Sequence, residues 1–234
     1  MKPIYLLLAA LFLLGCSPQA APQENLRLAI SPAAYPAAQA VMACLPADDS
    51  VAVTIDSPHP SEVDLSEYDL YFHLGRNTSA EFAALIATEQ ILLAINPAQG
   101  LTSFSALQAA DLLSGRVRDW AQLGGRAETV LLFIPPDSDE ALQAFRSNVV
   151  RGAFSGQALI ATSPDTLLQN VAINPSAAGI LPAAWADDSV NTFDYKVSLP
   201  VLALAAQVPQ GAARSLLACL QGPTGQAILA DIYP

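Results

Sequence analysis

The alternation of short apolar segments with helix-like segments is the feature that most constrains how this chain can fold. Runs of β-branched or apolar residues such as Leu26–Ile30, Val51–Ile55 and Thr129–Ile134 have the length and composition of strands. Between them lie segments with a helical spacing of apolar residues, for example Ser105–Ser114, which Gly115 closes. Strands that alternate with helices favour parallel β-α-β units, and the sequence therefore predicts an α/β fold.

The remaining elements are predicted from the same signals. Ser79 precedes an apolar run with Glu81 in its first turn, which predicts a helix over Ser79–Ile86, whereas the run QILLAI predicts a separate strand at Gln90–Ile95. Further strands are predicted at Asp69–Leu74, Ala178–Leu181 and Val197–Ala203, and further helices at Pro36–Leu45, Asp139–Val150, Thr166–Val171, Ala212–Leu220 and Thr224–Ala230.

The composition excludes several classes of protein. The chain has 234 residues, of which 53% are hydrophobic, so it is long enough and apolar enough to bury a core. Its 10 basic residues stand against 21 acidic ones, and no Lys/Arg run is available to neutralise phosphates, so we expect no nucleic-acid partner. The sequence patterns of nucleotide-binding loops, zinc proteases and serine hydrolases are absent. We therefore expect no cofactor, no metal and no enzymatic activity.

The N-terminal residues carry an export pattern. Lys2 precedes an apolar run that has the length of a signal-peptide core and is too short to span a membrane. The run ends in Leu13-Leu14-Gly15-Cys16, which resembles the bacterial lipobox. The resemblance implies a signal peptide over residues 1–15, acylation of Cys16 and an extracytoplasmic, lipid-anchored chain. An ordinary signal peptide with an incidental cysteine is the alternative. The polar, Pro-rich residues 16–25 predict a tether.

Export leaves two further cysteines in a compartment where disulfides can form. Cys44 lies late in the helix predicted at Pro36–Leu45, and Cys219 shares a helical face with Leu216 and Leu220. A bridge between the two would tie the first helix to one of the last. Two buried free thiols are the other interpretation, since cysteine packs well as a small hydrophobic residue.

Residues 101–125 contain the most specific pattern of the chain, LTSFSALQAADLLSGRVRDWAQLGG. Gly115 can end the helix, Trp120 can anchor a short loop in the core, and the Gly124-Gly125 pair permits a tight turn. This segment resembles the one that follows the first interdomain crossover in phosphate-type solute-binding proteins of ABC transporters, which belong to the type II periplasmic binding protein superfamily. The segment Ala178-Gly179-Ile180 and the closing residues LLACLQGPTGQAILADIYP are similar to further parts of that family.

The resemblance implies a two-lobed α/β fold with two crossover strands and an interdomain cleft. Lobe 1 is expected to comprise residues 26–94 and 192–234, and lobe 2 residues 95–191. The crossover strands are expected at Gln90–Pro97 and about Asn191–Leu199. The function implied is that of a binding protein that captures a small solute in the cleft and docks on an ABC permease.

The resemblance also places the ligand-binding residues in turns that follow three strands. The first turn follows strand Leu26–Ile30, the second follows Asp69–Leu74, and the third follows the strand that ends at Ile134. The candidate ligand-binding residues in these turns are Ser31, Tyr35, Arg76, Asn77, Thr78 and Ser138.

The third turn departs from the family pattern. Where phosphate binders have an arginine followed by Ser-Gly-Thr, this chain has carboxylates at Asp137, Asp139 and Glu140 around Ser138. Two like charges 4 Å apart repel by about 4 kcal/mol at an effective dielectric constant of 20. The carboxylates either cap the following helix or bind a cation or amine. The ligand is therefore a phosphate-like oxyanion or another small solute. The alternative function is a degenerate envelope module that acts as a sensor or assembly protein without a ligand.

Overall fold

The chain folds around one mixed sheet. The computed structural model describes residues 24–48, 50–76 and 80–233, so the signal peptide, Cys16, Asn77 and Thr78 lie outside the described residues. The sheet has the strand order β2-β1-β3-β8-β4-β7-β5-β6. Its strands are β1 Glu24–Ile30, β2 Val51–Asp56, β3 Leu70–Leu74, β4 Phe82–Ile95, β5 Leu131–Ile134, β6 Leu159–Ile160, β7 Ala177–Pro182 and β8 Asn191–Ala205.

Short helices connect and cover these strands. The α-helices are α1 Ala38–Ala43, α2 Ala106–Leu113, α3 Glu140–Phe145, α4 Pro164–Ile173, α5 Gly211–Gln221 and α6 Pro223–Ile232. One turn of π-helix, Arg146–Val150, extends α3. Single 3-10 turns lie at Pro32–Ala37, Pro60–Glu62, Leu65–Glu67, Pro97–Gln99, Trp120–Leu123 and Ala183–Trp185. In the part of the chain that the structure describes, none of the helices combines the length and apolar character that a membrane span requires.

Two long antiparallel strands hold the sheet together. β4 and β8 pair from Phe82 opposite Ala205 to Ile95 opposite Asn191. β3 joins this ribbon at one end, beside residues 201–204 of β8, and β7 joins it at the other, beside residues 91–95 of β4. Lobe 1 is therefore built on β1–β3 and lobe 2 on β5–β7, which confirms the two-lobed α/β fold with two crossover strands.

The helix predicted at Ser79–Ile86 is wrong. Residues 82–86 instead form the first part of β4, which continues without interruption to Ile95 and pairs with β8. Local propensity is a weak signal, and here the hydrogen bonds to β8 outweigh it. The sheet is also not wholly parallel: β1 pairs in parallel with β2 and β3, and β5 with β6 and β7, whereas every pairing of β4 and β8 is antiparallel.

One hydrophobic core runs through both lobes. Phe72 of lobe 1, Ile91 of the long ribbon and Phe145 of lobe 2 belong to the same cluster, and all three are fully buried. Trp120 is also fully buried, and its indole N–H donates to the carbonyl of Ser176 at 2.8 Å. This contact confirms that the tryptophan of the 101–125 pattern anchors its loop in the core.

Cys44 and Cys219 form a disulfide in the structure. Their Cα atoms are 5.6 Å apart, and the bond links the end of α1 to α5. Both helices pack on the lobe 1 side of the sheet, where α1 also contacts α6. The bond therefore joins the first helix of the chain to the last pair.

We expect the Cys44→Ser/Cys219→Ser variant to be much less stable than the wild type. The cysteines are 175 residues apart, and the chain-entropy relation for a loop of that size gives a loss of about 5 kcal/mol. Denaturant unfolding measures this loss, and wild-type protein treated with a reductant should lose a similar amount. Alkylation of both thiols in unreduced protein would show that the bond does not form.

Candidate functional site

The turns that follow β1, β3 and β5 meet at the cleft between the lobes. β1 and β3 are parallel neighbours in lobe 1, so the residues that follow them emerge at the same edge of the sheet. The turn after β5 approaches that edge from lobe 2. Pro60 of lobe 1 lines two adjoining pockets there, and both include residues of lobe 2.

The first of these, the proline-lined pocket, is narrow. Its volume is about 30 Å³, which is room for one or two water molecules. Apolar side chains dominate its walls, and the polar residues His59, Asp139, Thr162 and Ser163 complete them. The prolines that give it its name are Pro32, Pro60, Pro135, Pro136, Pro164 and Pro182. In this arrangement of the lobes, it is the more confined of the two pockets.

The second, the Arg76 pocket, is larger and more polar. Its volume is about 260 Å³. Arg76 lines it from lobe 1, whereas Ser138 and Glu140 line it from lobe 2. Tyr71, His73 and Ser61 add a phenol, an imidazole and a hydroxyl. Two of the residues predicted from the sequence, Arg76 and Ser138, are therefore brought together in one pocket.

The other predicted residues have different surroundings. Ser31 is 1% exposed, and its hydroxyl accepts a hydrogen bond from the backbone N–H of Ala34 at 3.4 Å. Its hydroxyl also bonds the phenol of Tyr71, so Ser31 supports the turn after β1. Tyr35 is not among the described residues that line either pocket. The ligand-binding role of all six residues stays a prediction.

The three carboxylates of the third turn have different surroundings. Asp139 caps α3, because its side chain accepts from the backbone N–H groups of Ala141 at 2.8 Å and Leu142 at 3.4 Å. Asp137 is 84% exposed and pairs with Arg146 at 2.7 Å. Only Glu140 of the three lines the Arg76 pocket. The helix-capping interpretation thus describes Asp139.

Burial sets the charge of the groups around the Arg76 pocket. Burial lowers the pKa of His73, so its imidazole is neutral at pH 7. Burial also raises the pKa of Tyr71 to about 12, so its hydroxyl, 3.2 Å from Nδ1 of His73, stays protonated. Arg76 and Glu140 are then the charged groups among the described residues that line the pocket. Neither of them belongs to an ion pair found among the described residues of the chain.

Gly75 and Glu140 form a close contact between the lobes that the sequence did not predict. Gly75 has φ of +125°, and a Cβ atom built on it would lie 2.5 Å from Cγ of Glu140. Only glycine fits this position without a shift of the Glu140 side chain. The sequence shows only that a glycine directly follows a predicted strand, and this does not identify Glu140 as its neighbour.

The charges of the Arg76 pocket indicate the kind of solute that it can hold. Among the described residues, no group of three or more His, Cys, Asp or Glu side chains is arranged to hold a metal ion. The polar groups of the Arg76 pocket are instead one cation, one carboxylate and neutral hydrogen-bonding groups. That set suits recognition of a small polar solute better than it suits metal binding.

We expect Gly75→Ala to destabilise the protein by about 1–3 kcal/mol, because it adds both backbone strain and the clash with Glu140. In a Glu140→Ala background the penalty should shrink, since the contact with Cγ is gone and only the strain and the close approach to Cβ of residue 140, at 2.9 Å, remain. Denaturant unfolding of the four proteins measures this coupling. Gly100→Ala is the matched control, because Gly100 has φ of +66° and open space around it. Equal penalties for Gly75→Ala in both backgrounds would contradict the contact.

Comparison with known proteins agrees with this architecture. A PBP superfamily domain matches residues 76–218, which is more than half of the chain. The phosphate-binding protein PstS of Bacillus subtilis is 25% identical over 103 residues, which cover 44% of this chain and 34% of that protein. The match thus spans about a third of this curated relative.

Solved structures show the same fold at low sequence identity. A Clostridium perfringens protein, described as a phosphate ABC transporter substrate-binding protein with bound phosphate, superposes with a TM-score of 0.80 at 18% identity, covering 90% of this chain and 98% of that one. The regulatory domain of OxyR2 from Vibrio vulnificus superposes with a TM-score of 0.64 at 11% identity, covering 93% and 100%. With the fold and the domain match in agreement, this chain belongs to the PBP superfamily, the periplasmic binding proteins.

Proposed function

We propose that this protein is a lipid-anchored, extracytoplasmic solute-binding protein that serves an ABC transporter and does no covalent chemistry. The observation that carries the proposal is the Arg76 pocket, where an arginine of one lobe faces a hydroxyl and a carboxylate of the other. Membership of the PBP superfamily and the similarity to a phosphate-binding protein support it. The export pattern that ends in Cys16 supports the anchoring.

The Arg76 pocket is the better of the two candidate sites in the cleft. Its volume is about 260 Å³, whereas the volume of the proline-lined pocket is about 30 Å³, so it has more room for a solute. The Arg76 guanidinium presents a planar set of N–H donors that matches an oxyanion or carboxylate, and Ser138 can donate one more hydrogen bond. Asn77 and Thr78, which follow Arg76 in the chain, are proposed as further contacts.

Glu140 restricts the solutes that the pocket can hold. An anion placed about 4 Å from its carboxylate would lose about 4 kcal/mol at an effective dielectric constant of 20. A solute that presents an anionic group to Arg76 and a cationic or hydrogen-bond-donating group to Glu140 satisfies both residues. A phosphate-like oxyanion fits this requirement only when it carries a proton toward Glu140, so other small polar solutes are equally suitable.

The proposed mechanism is capture, closure and delivery. The lobes are joined by β4 and β8, and the pairing of these strands is irregular between Leu85 and Ala87 and again between Ile91 and Leu92. Such irregularities weaken a sheet locally and let it bend. Rotation of the lobes about this ribbon would open the cleft, and the closed form would dock on the permease.

A second candidate function is an envelope sensor or assembly module without a small-molecule ligand. The observation that favours it is the narrow, apolar proline-lined pocket, which is lined by residues of both lobes. The fold itself also occurs in regulatory proteins, since the OxyR2 domain shares it. Recovery of a permease or of a signalling protein as the cross-linked partner in the envelope would distinguish the two functions.

Calorimetric titration tests the proposed site. We expect phosphate or small carboxylic and amino acids to bind the wild-type protein, and Arg76→Gln to weaken that binding by about 10–100-fold, the effect of losing a charged hydrogen bond. Arg214→Gln is the matched control, because Arg214 is an exposed residue of α5 outside the described walls of both pockets. Equal affinity of the two variants would exclude Arg76 from the site.

Cell fractionation tests the anchor. We expect the wild-type protein to sediment with membranes and to carry acyl chains in its intact mass, because two or more chains give lasting attachment. Cys16→Ser should release the protein into the soluble fraction without acyl mass. A variant that fractionates like the wild type would contradict lipidation at Cys16.

A further inference from the structure

Glu89 is a buried carboxyl at the point where the two lobes join. It lies on β4 opposite Leu199 of β8, between the two irregular positions of the ribbon. It is only 1% exposed, and it is the one ionisable side chain among the buried polar residues of the described part of the chain. Burying a carboxyl without a cation is costly, so a group of this kind requires a physical explanation.

Glu89 bonds a turn of lobe 2, and the same turn bonds lobe 1. Both of its oxygens accept from the backbone N–H of Ala184, at 3.4 and 3.3 Å. Ala184 belongs to the 3-10 turn Ala183–Trp185 that follows β7. The neighbouring Trp185 donates its indole N–H across the cleft to the carbonyl of Ala33 at 3.2 Å. Ala33 and Pro182, which precedes the turn, both line the proline-lined pocket.

The groups that face Glu89 leave it without a compensating positive charge. Burial is the main cause that raises the pKa of Glu89 to about 7, and the backbone N–H groups of Ala184, Gln90 and Ala183 lower it in part. The titratable neighbour is Tyr233, whose pKa is raised well above its usual value by burial and then by Glu89. Tyr233 therefore stays a neutral phenol, with its hydroxyl bonded to the carbonyl of Ala34 at 3.3 Å.

We propose that Glu89 is a proton-dependent latch of the hinge: the closed cleft accommodates its buried carboxyl when the group is protonated, and the cost of burying the ionised group favours the open cleft. In the closed cleft the ionised form must keep a charge away from water. Rotation of the lobes would break the Trp185–Ala33 bond and let water reach Glu89, which stabilises the carboxylate. The open form is therefore favoured as pH rises, and the closed form as pH falls.

The size of the effect follows from the two environments of the carboxyl. If opening returns Glu89 to an ordinary pKa near 4.5, the ratio of closed to open molecules falls by up to about 70-fold between pH 5 and pH 8. A solute held in the cleft would be released more readily at the alkaline end. The latch concerns the lobes alone, so it does not depend on which solute the protein carries.

Small-angle X-ray scattering of the solute-free protein across pH 5–8 tests the latch. The wild type should expand as the pH rises from 5 to 7 and change little above pH 7, whereas Glu89→Gln, which cannot ionise, should stay compact throughout. Asp139→Asn and His59→Gln are the controls, because these two titratable groups also line the cleft, and both variants should keep the transition. Trp185→Phe removes the indole donor and should be expanded at pH 5 as well.

Each outcome decides the proposal. A wild type of constant dimensions, or a Glu89→Gln variant that expands like the wild type, overturns the latch. If Glu89→Gln does not fold, the pH profile of Trp185→Phe decides, since an unchanged compact form at pH 5 also overturns it. Because no solute is present, a failure of solute binding would leave this result unaffected.

Discussion

The antiparallel pairing of β4 with β8 is the interaction on which the rest of the structure depends. These two strands are the longest of the described chain, and they are the ones that enter both lobes. Every residue of the candidate site is positioned relative to them, because β3 attaches to one end of the ribbon and β7 to the other. The cleft lies where the two half-sheets face each other across this ribbon. In the proposed mechanism, bending of this ribbon is what opens and closes the cleft.

Charge is the second constraint, and it acts at short range in the cleft. The acidic third turn would exclude an anion if its three carboxylates converged, but the structure separates them: one caps a helix, one pairs with Arg146 in solvent, and Glu140 alone lines the Arg76 pocket. In that pocket, the positive charge of Arg76 balances the negative charge of Glu140. The protein as a whole is strongly acidic, with a formal net charge of −11. The candidate site, with one cation and one carboxylate, is thus closer to neutrality than the protein as a whole.

The sequence predicted the fold better than it predicted the site. Periodicity and turn residues identified most strands and helices, and the 101–125 pattern identified the superfamily and the role of Trp120. The helix predicted at Ser79–Ile86 failed because its true partner, β8, lies more than a hundred residues away along the chain. Arg76 and Ser138 were predicted as ligand-binding residues because they follow strands, and both line one pocket. Glu89 was assigned no role, and for Glu140 the sequence offered only helix capping or the binding of a cation or amine, because no local pattern encodes their contacts with Ala184 and Gly75.

The central claim is that a small solute occupies the cleft between the lobes. Native mass spectrometry of freshly purified protein tests it most directly, because a captured solute adds its own mass to the intact chain. We predict an adduct of one small polar solute on the wild-type protein, lost when the cleft residue Arg76 is replaced by glutamine. A spectrum of the bare chain alone, unchanged after incubation with phosphate and small carboxylic and amino acids, would contradict the account.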